Sequence, residues 1–355
     1  MIAIDGHVHL AQDVLNWNRD VTQSVLAIRQ SEAGMPGKGR GRGTIALPEM
    51  RRGRVALFGA LICRSTDPQS QGSGLRTPEA TYACARGELA LYRVLEQRGL
   101  LRQIKDTAAL DSHLADWEAA APEAGGEVPP LGYILAMEGS DPILDPENVY
   151  EWWDDGLRMA SLSHYGMGRY AAGTGPSGGV TDLGMALLRE MEQCKIVLDT
   201  AHIAEDAFWP AVNNYDGPLA FSHGGTRALV PMWRSLSDEQ MAAILERDGV
   251  VGISMDCWQI TPGWVKGQAT PDHVSLENWA DHIDHVCQVA GDTDHACIGT
   301  DLDGGYGTEQ SPRDVDSIAD LQKIPDVLRR RGYAEDDVAK IMYGNWVRLF
   351  RETWA

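Results

Sequence analysis

Two histidines one residue apart, His7 and His9, stand at the end of an apolar run near the start of the chain. On an extended strand, residues i and i+2 share a face, so both imidazoles can grip one cation. His202 and His223 follow later apolar runs and can give nitrogen to a second ion. Glu138, in Ala136-Met-Glu-Gly-Ser140, is a carboxylate at the end of another such run. Buried uncompensated it would be costly, so it needs a cation or strong donors. Shared between two cations it would be neutralised and would hold them roughly 3.5–4 Å apart. A carboxylated lysine can fill that place, but the chain has six lysines, Lys195 precedes its apolar run, and no other stands at a strand end. Glu138 is therefore the expected bridge. Asp301, in Ile298-Gly-Thr-Asp-Leu-Asp-Gly304, is placed to take a proton from an activated water and pass it to a leaving amine. Asp303, two residues on, has the same chemistry, and spacing leaves both open. His164 ends a further apolar run, whereas His113, His273, His282, His285 and His295 fall in helical or loop contexts and read as solvated.

These side chains need a frame that brings them together. Short β-rich runs are expected at 2–5, 55–63, 132–137, 159–163, 196–199, 219–222, 250–254 and 296–299, alternating with helical patterns at 78–98, 182–192, 237–246 and 276–289. Ser237-Asp-Glu-Gln240 before an apolar run is a capping-box start. Eight strands alternating with helices suit either an open parallel sheet or a closed (β/α)8 TIM barrel. The polar residues decide between them. Each follows an apolar run, at a strand's C-terminal end, and in a barrel those ends converge on one mouth. The expectation is an α/β chain forming one (β/α)8 barrel domain over residues 1–355, with pocket-shaping loops at about 16–50 and 254–272. The stretch 119–130 reads as an interstrand loop.

The chain has 355 residues, 31 Lys+Arg against 51 Asp+Glu, a net charge of −20 and 43% hydrophobic residues, a soluble globular profile. No apolar run reaches the roughly 18–20 residues of a membrane span, and the N-terminus lacks a secretory pattern, so the expected location is cytoplasmic, with no membrane partner. Six scattered cysteines without a CxxC argue against a disulfide framework or a zinc ribbon. The negative charge repels polyanions and disfavours nucleic acid. One exception is local: Lys38, Arg40, Arg42, Arg51, Arg52 and Arg54 crowd into seventeen residues, most simply a solvated glycine-rich loop that can also lend positive charge to the mouth. Of the eleven tryptophans, Trp152, Trp153 and Trp258 fall near strand ends, where they could line a pocket, though core packing is the plainer reading. Trp346 and Trp354 should pack on the barrel or on a second subunit.

The words Asp5-Gly-His7, Met137-Glu-Gly139, Leu162-Ser-His164, Asp199-Thr-Ala-His202, Phe221-Ser-His223, Ile298-Gly-Thr-Asp-Leu-Asp-Gly304 and Gly344-Asn-Trp-Val-Arg-Leu-Phe350 resemble the amidohydrolase superfamily, and within it the membrane (renal) dipeptidase family, metallopeptidase family M19. They span nearly the whole chain. The resemblance implies two divalent metal ions, zinc by expectation, held by His7, His9, Glu138, His202 and His223. It implies Asp301 as proton shuttle, His164 on the scissile carbonyl or its oxyanion, and Arg234 on the substrate's C-terminal carboxylate, a task that suits a planar guanidinium. The activity implied is hydrolysis of the amide bond of dipeptides or related small amides, L-Xaa-D-Xaa included, by a metal-bridging hydroxide. A homodimer is an assembly the resemblance allows. One position departs from the pattern: the family usually has His-x-Asp after the first strand, and here the second ligand is His9. Imidazole for carboxylate makes the site one unit more positive, which bears on metal preference and substrate.

Two other readings use the same residues. A TatD-like metal-dependent nuclease or phosphodiesterase also carries HxH, Glu, His, His and Asp, and His9 fits it well. The net charge, the chain length and the His164 and Arg234 words oppose it, and only the 38–54 basic stretch favours it. A barrel that binds metal without catalysis is the third, opposed by the filled set of ligand positions. The reading preferred is an acidic body with a cationic mouth for a small carboxylate-bearing substrate.

Overall fold

The computed structural model describes residues 1–69, 74–120 and 128–355. Nine strands, β1 (Ala3–Val8), β2 (Val55–Ile62), β3 (Leu101–Gln103), β4 (Leu131–Met137), β5 (Leu157–Ala160), β6 (Val197–Asp199), β7 (Leu219–Phe221), β8 (Val250–Ile253) and β9 (Ala296–Ile298), form one parallel sheet. Eight run in the order β1-β2-β4-β5-β6-β7-β8-β9, and β3 pairs only with the edge of β4, Leu101 opposite Leu131. The sheet curls until β9 meets β1. There the Asp5 carboxylate accepts from Thr300 N at 2.9 Å and Thr300 Oγ1 at 2.6 Å, and Asp301 N donates to His7 O at 3.2 Å. The result is a nearly closed TIM-type barrel. Each expected strand is present within three residues of its expected ends. The short β3 has no signal of its own because three residues show no period.

Strand residues are buried on both faces, by the barrel interior and by the outer helices, which is why they read as continuous apolar runs. Helices Pro78–Gln97, Asp182–Gln193, Asp238–Leu245 and Leu276–Ala290 match expectation, and Ser237 and Gln240 form the capping box. Two glycines allow backbone approach that no Cβ would permit. A Cβ on Gly299 would stand 1.8 Å from Ser222 O, and one on Gly6 would stand 2.1 Å from the Trp346 ring. Trp346, on the outer helix Asn345–Thr353, packs there against the outer face of the strands, its Nε1 donating to Ile298 O at 2.9 Å. Truncating so large a buried ring typically costs about 3–5 kcal/mol. Of the 119–130 loop, residues 121–127 lie outside the described residues.

Several expectations are corrected. His113, His282 and His295 are buried, not solvated: His113 Nε2 meets Ala56 O at 2.7 Å, His282 Nδ1 accepts from Thr226 N at 2.9 Å, and His295 Nδ1 meets Gly249 O at 2.7 Å. His113 and His282 occupy the inner faces of outer helices and His295 the bend before β9, and in each one ring nitrogen satisfies a strand or loop backbone group. Trp152 and Trp153 sit on helix Val149–Asp155 outside the barrel, Trp152 against Tyr82 and Arg86, Trp153 beneath Arg158. The 38–54 stretch is not a free basic patch: residues 33–38 and Arg42 form the exposed glycine-rich loop expected, and helix Leu47–Arg52 follows it. Arg40 pairs with Glu32 at 2.9 Å, Arg52 with Glu49 at 3.1 Å, and Arg54 bonds Trp117 O and Ala120 O. Only Lys38 turns to the mouth. Among the described residues no helix is long and apolar enough to cross a membrane.

Candidate active site

The strand ends deliver their polar residues to one mouth. Glu138, directly after β4, is the hub. Its Oε1 lies 3.2 Å from His7 Nε2, 3.1 Å from His202 Nε2 and 3.7 Å from His223 Nε2, and its Oε2 lies 3.4 Å from His9 Nε2 and 3.6 Å from His164 Nε2. Asp301 Oδ1 stands 3.2 Å from His9 Nε2 and 3.9 Å from His7 Nε2. His202 Nε2 and His223 Nε2 are 3.0 Å apart. All six residues named from the strand ends, with His164, therefore meet at one point. His202 and Asp301 hold the left-handed conformation, φ 66° and 56°. That is uncommon for side-chain-bearing residues and frequent where a site holds its geometry against strain.

Hydrogen bonds fix which nitrogen each imidazole offers. Ser222 Oγ gives its one proton to Asp199 Oδ2 at 2.6 Å, so His7 Nδ1, at 3.1 Å, and His223 Nδ1, at 3.0 Å, must both donate to it. His202 Nδ1 bonds Thr174 Oγ1 at 2.8 Å, and His9 Nδ1 bonds Gln12 Oε1 at 2.9 Å. The four Nε2 atoms are left facing Glu138. Such supporting bonds orient metal-binding histidines and raise their basicity. None of Gln12, Thr174, Asp199 or Ser222 is identifiable from sequence, although Asp199 and Ser222 fall inside the conspicuous strand-end words.

Electrostatics agree. Burial opposes charge on Glu138, but His164, His7 and His9 outweigh it and hold the carboxyl well below its ordinary range. Burial lowers His202 and His223 well below the usual imidazole value, helped at His202 by Arg234 and at His223 by His7 and Arg234. Burial also depresses His9, yet Glu138 and Asp301 overcome it and push it up to about 10. Buried His7 Nε2 and Glu138 Oε2 make no hydrogen bond. A cluster of buried imidazole nitrogens and carboxylate oxygens with unpartnered atoms facing inward is the donor set of a divalent cation. The fit is good: His7, His9 and Asp301, and separately His7, Glu138 and His223, place ligand atoms within 4.8 Å of one another.

Around this cluster lies a cavity of about 330 Å³ whose walls include His164, Tyr165, Asp256, Lys38 and Lys266. Lys38 comes from the 16–50 segment and Lys266 and Asp256 from 254–272, the two segments expected to shape the pocket. Lys266 Nζ rides 3.6 Å above the Trp258 ring. A second cavity, about 380 Å³, opens on the other side of His202, lined by Arg234, Trp233 and Phe208. Arg234 is 5% exposed, donates from Nη2 to His223 Nε2 at 2.7 Å, and leaves Nε and Nη1 without partners. Asp303 is elsewhere, buried on Arg19, Thr44 and Ile45 N. That separates it from Asp301, which spacing could not do.

The family model for membrane dipeptidases, peptidase family M19, matches residues 1–355. Among curated proteins, dipeptidase tcpJ of Claviceps purpurea is 30% identical over 204 residues, 56% of this chain and 45% of that protein. Dipeptidase aclJ of Aspergillus oryzae is 29% identical over 227 residues, 62% and 51%. An uncharacterized protein in the pqqA 5' region of Klebsiella pneumoniae is 30% identical over 181 residues, 51% and 63%. The match spans less than two thirds of each relative's length. Two solved structures share the fold across 100% of this chain and 99% of theirs. One is a dipeptidase of family M19, TM-score 0.78 at 24% identity. The other is a Rhodobacter sphaeroides metallopeptidase liganded with a phosphinate mimic of L-Ala-D-Ala, TM-score 0.79 at 23% identity.

Proposed function

The chain belongs to the membrane dipeptidase family, peptidase family M19, and from that premise we propose that it hydrolyses the amide bond of dipeptides with two divalent cations, zinc by preference. The observation that carries this is the ring of four imidazole Nε2 atoms and Asp301 around Glu138, with no hydrogen bond at His7 Nε2 or Glu138 Oε2. His7, His9 and Glu138 would hold one cation, and Glu138, His202 and His223 the other. Bound there, the pair would supply a nucleophile at neutral pH and positive charge opposite the developing oxyanion.

The chain's own residues do the rest. Asp301, against His9 at 3.2 Å, accepts the attacking water's proton and delivers it to the departing amine nitrogen. His164, 22% exposed at its side chain, faces substrate, where its ring can donate to the carbonyl oxygen. Arg234, whose Nε and Nη1 have no partner and whose Nη2 would be freed were His223 Nε2 to hold a cation, offers its fork to the substrate's C-terminal carboxylate. The two cavities then divide the dipeptide, the C-terminal residue towards Arg234 and the N-terminal residue towards Tyr165 and Asp256, whose carboxylate can face its ammonium. The dipeptide mimic bound by the Rhodobacter relative supports a D-residue at the C-terminal position.

The test is to strip metal by chelation, assay L-Ala-L-Ala and L-Ala-D-Ala, then restore Zn²⁺. Activity should vanish and return. Undiminished hydrolysis by metal-free protein, or cleavage of an oligonucleotide in place of dipeptides, overturns the assignment.

A further inference from the structure

Cys63 stands beside Glu138 as a consequence of register. Ile62 on β2 pairs with Met137 on β4, and Glu138 N donates to Ile62 O at 2.9 Å. The next residue on each strand, Cys63 and Glu138, therefore sits at the same level of the mouth. Glu88 pins the cysteine's backbone, accepting from Cys63 N at 3.0 Å while its other oxygen pairs with Arg64 at 2.9 Å. Cys63 is 5% exposed, and its Sγ, a His9 ring nitrogen and a Glu138 carboxylate oxygen lie within 4.8 Å of one another. Ligand atoms stand roughly 2.0–2.3 Å from a zinc-type cation and so about 3.5 Å from one another in a tetrahedral set, which small side-chain shifts would reach from this arrangement. Glu138, 2% exposed, independently points to a ligand here, because its Oε2 makes no hydrogen bond.

We propose that the Cys63 thiolate is a ligand of the cation held by His9 and Glu138, an inference that rests on the metal-binding reading of the site. Binding forms a metal–sulfur bond and breaks the S–H bond. The proton leaves to solvent, and no oxidation state changes. The charge count favours it. Four neutral imidazoles and two carboxylates would face two divalent cations with Arg234 alongside, and a thiolate lowers that buried positive excess by one. Sulfur is also a softer donor than the rest of the set, so this position should prefer zinc, cobalt or cadmium to manganese or magnesium. The alternative role is a thiol hydrogen bond, to the Glu138 carboxylate or to His164 Nδ1, 3.9 Å from Sγ, which a serine can imitate while a thiolate–metal bond it cannot.

The test loads metal-free full-length protein with Co²⁺ and records its electronic spectrum. Expected are the visible d–d bands together with a near-ultraviolet sulfur-to-cobalt charge-transfer band, with loss of that band alone in both Cys63→Ser and Cys63→Ala. Visible bands without the charge-transfer band in the unsubstituted protein overturn the thiolate while sparing the metal site, as does a band that survives either substitution. Failure to bind Co²⁺ overturns both.

Discussion

Removing one hydroxyl, Ser222→Ala, should disable together two of the imidazoles proposed to bind metal. Ser222 Oγ accepts from His7 Nδ1 at 3.1 Å and His223 Nδ1 at 3.0 Å while donating to Asp199 Oδ2 at 2.6 Å. Without it, both rings lose the bond that keeps Nε2 deprotonated and aimed at Glu138. Losing one such support typically costs about 10–100-fold in metal affinity. Two rings share this one, and adjacent effects do not simply add, so the expected loss is about 10²–10³-fold, or about 3–4 kcal/mol. The metal-free protein should also lose about 1–3 kcal/mol of stability, because buried donors go unpaired. Asp199 suffers less, since it still accepts from Ser222 N at 2.9 Å and Ala201 N at 3.0 Å. Competition with a chromogenic zinc chelator measures the first number and chemical denaturation of metal-free protein the second. A change in zinc affinity below about threefold, far under the usual cost of a lost support, would show that the hydroxyl does not set the imidazoles' tautomers.

Arg234→Met should lower kcat/KM for dipeptides with a free carboxylate by about 10–100-fold, the value of a charged hydrogen bond, and leave their C-terminal amides nearly unaffected; equal losses on both would remove the carboxylate role. Asp301→Asn should abolish turnover with metal content retained. Asp303→Asn should instead cost about 1–3 kcal/mol of stability through its bonds to Arg19 and Thr44, and keep turnover; kinetics beside thermal unfolding distinguish the two. His282 gives a pH signature. Burial, and then the charge of His285, outweigh its backbone bond to Ile260 and lower its pKa from 6.5 to about 4. The unfolded chain therefore takes the proton first as pH falls, so this stability is complete above pH 6.5 and is lost on descending to about 4, about 3 kcal/mol in all. His282→Gln should flatten that part of the denaturation profile, and an unchanged slope would refute the assignment.

What the sequence determines by itself is whatever chain geometry makes local. Alternation of apolar runs with helical periods sets the parallel β/α units, the polar residues at the strand ends choose a barrel over an open sheet, and i, i+2 spacing puts His7 and His9 on one face. Position after an apolar run marks Glu138, His164, His202, His223 and Asp301, and the Ser237–Gln240 box starts its helix. Tertiary structure alone decides what register and closure bring together. Spacing cannot separate Asp301 from Asp303, because the turn after β9 sends one to the mouth and the other to Arg19. Burial of His113, His282 and His295 depends on which backbone groups the neighbouring layer leaves open. Ser222 serves His7 from 215 residues away, and Cys63 meets Glu138 only because Ile62 pairs with Met137. A linear sequence carries the period of each strand, but partners this distant are fixed only when the sheet closes on itself.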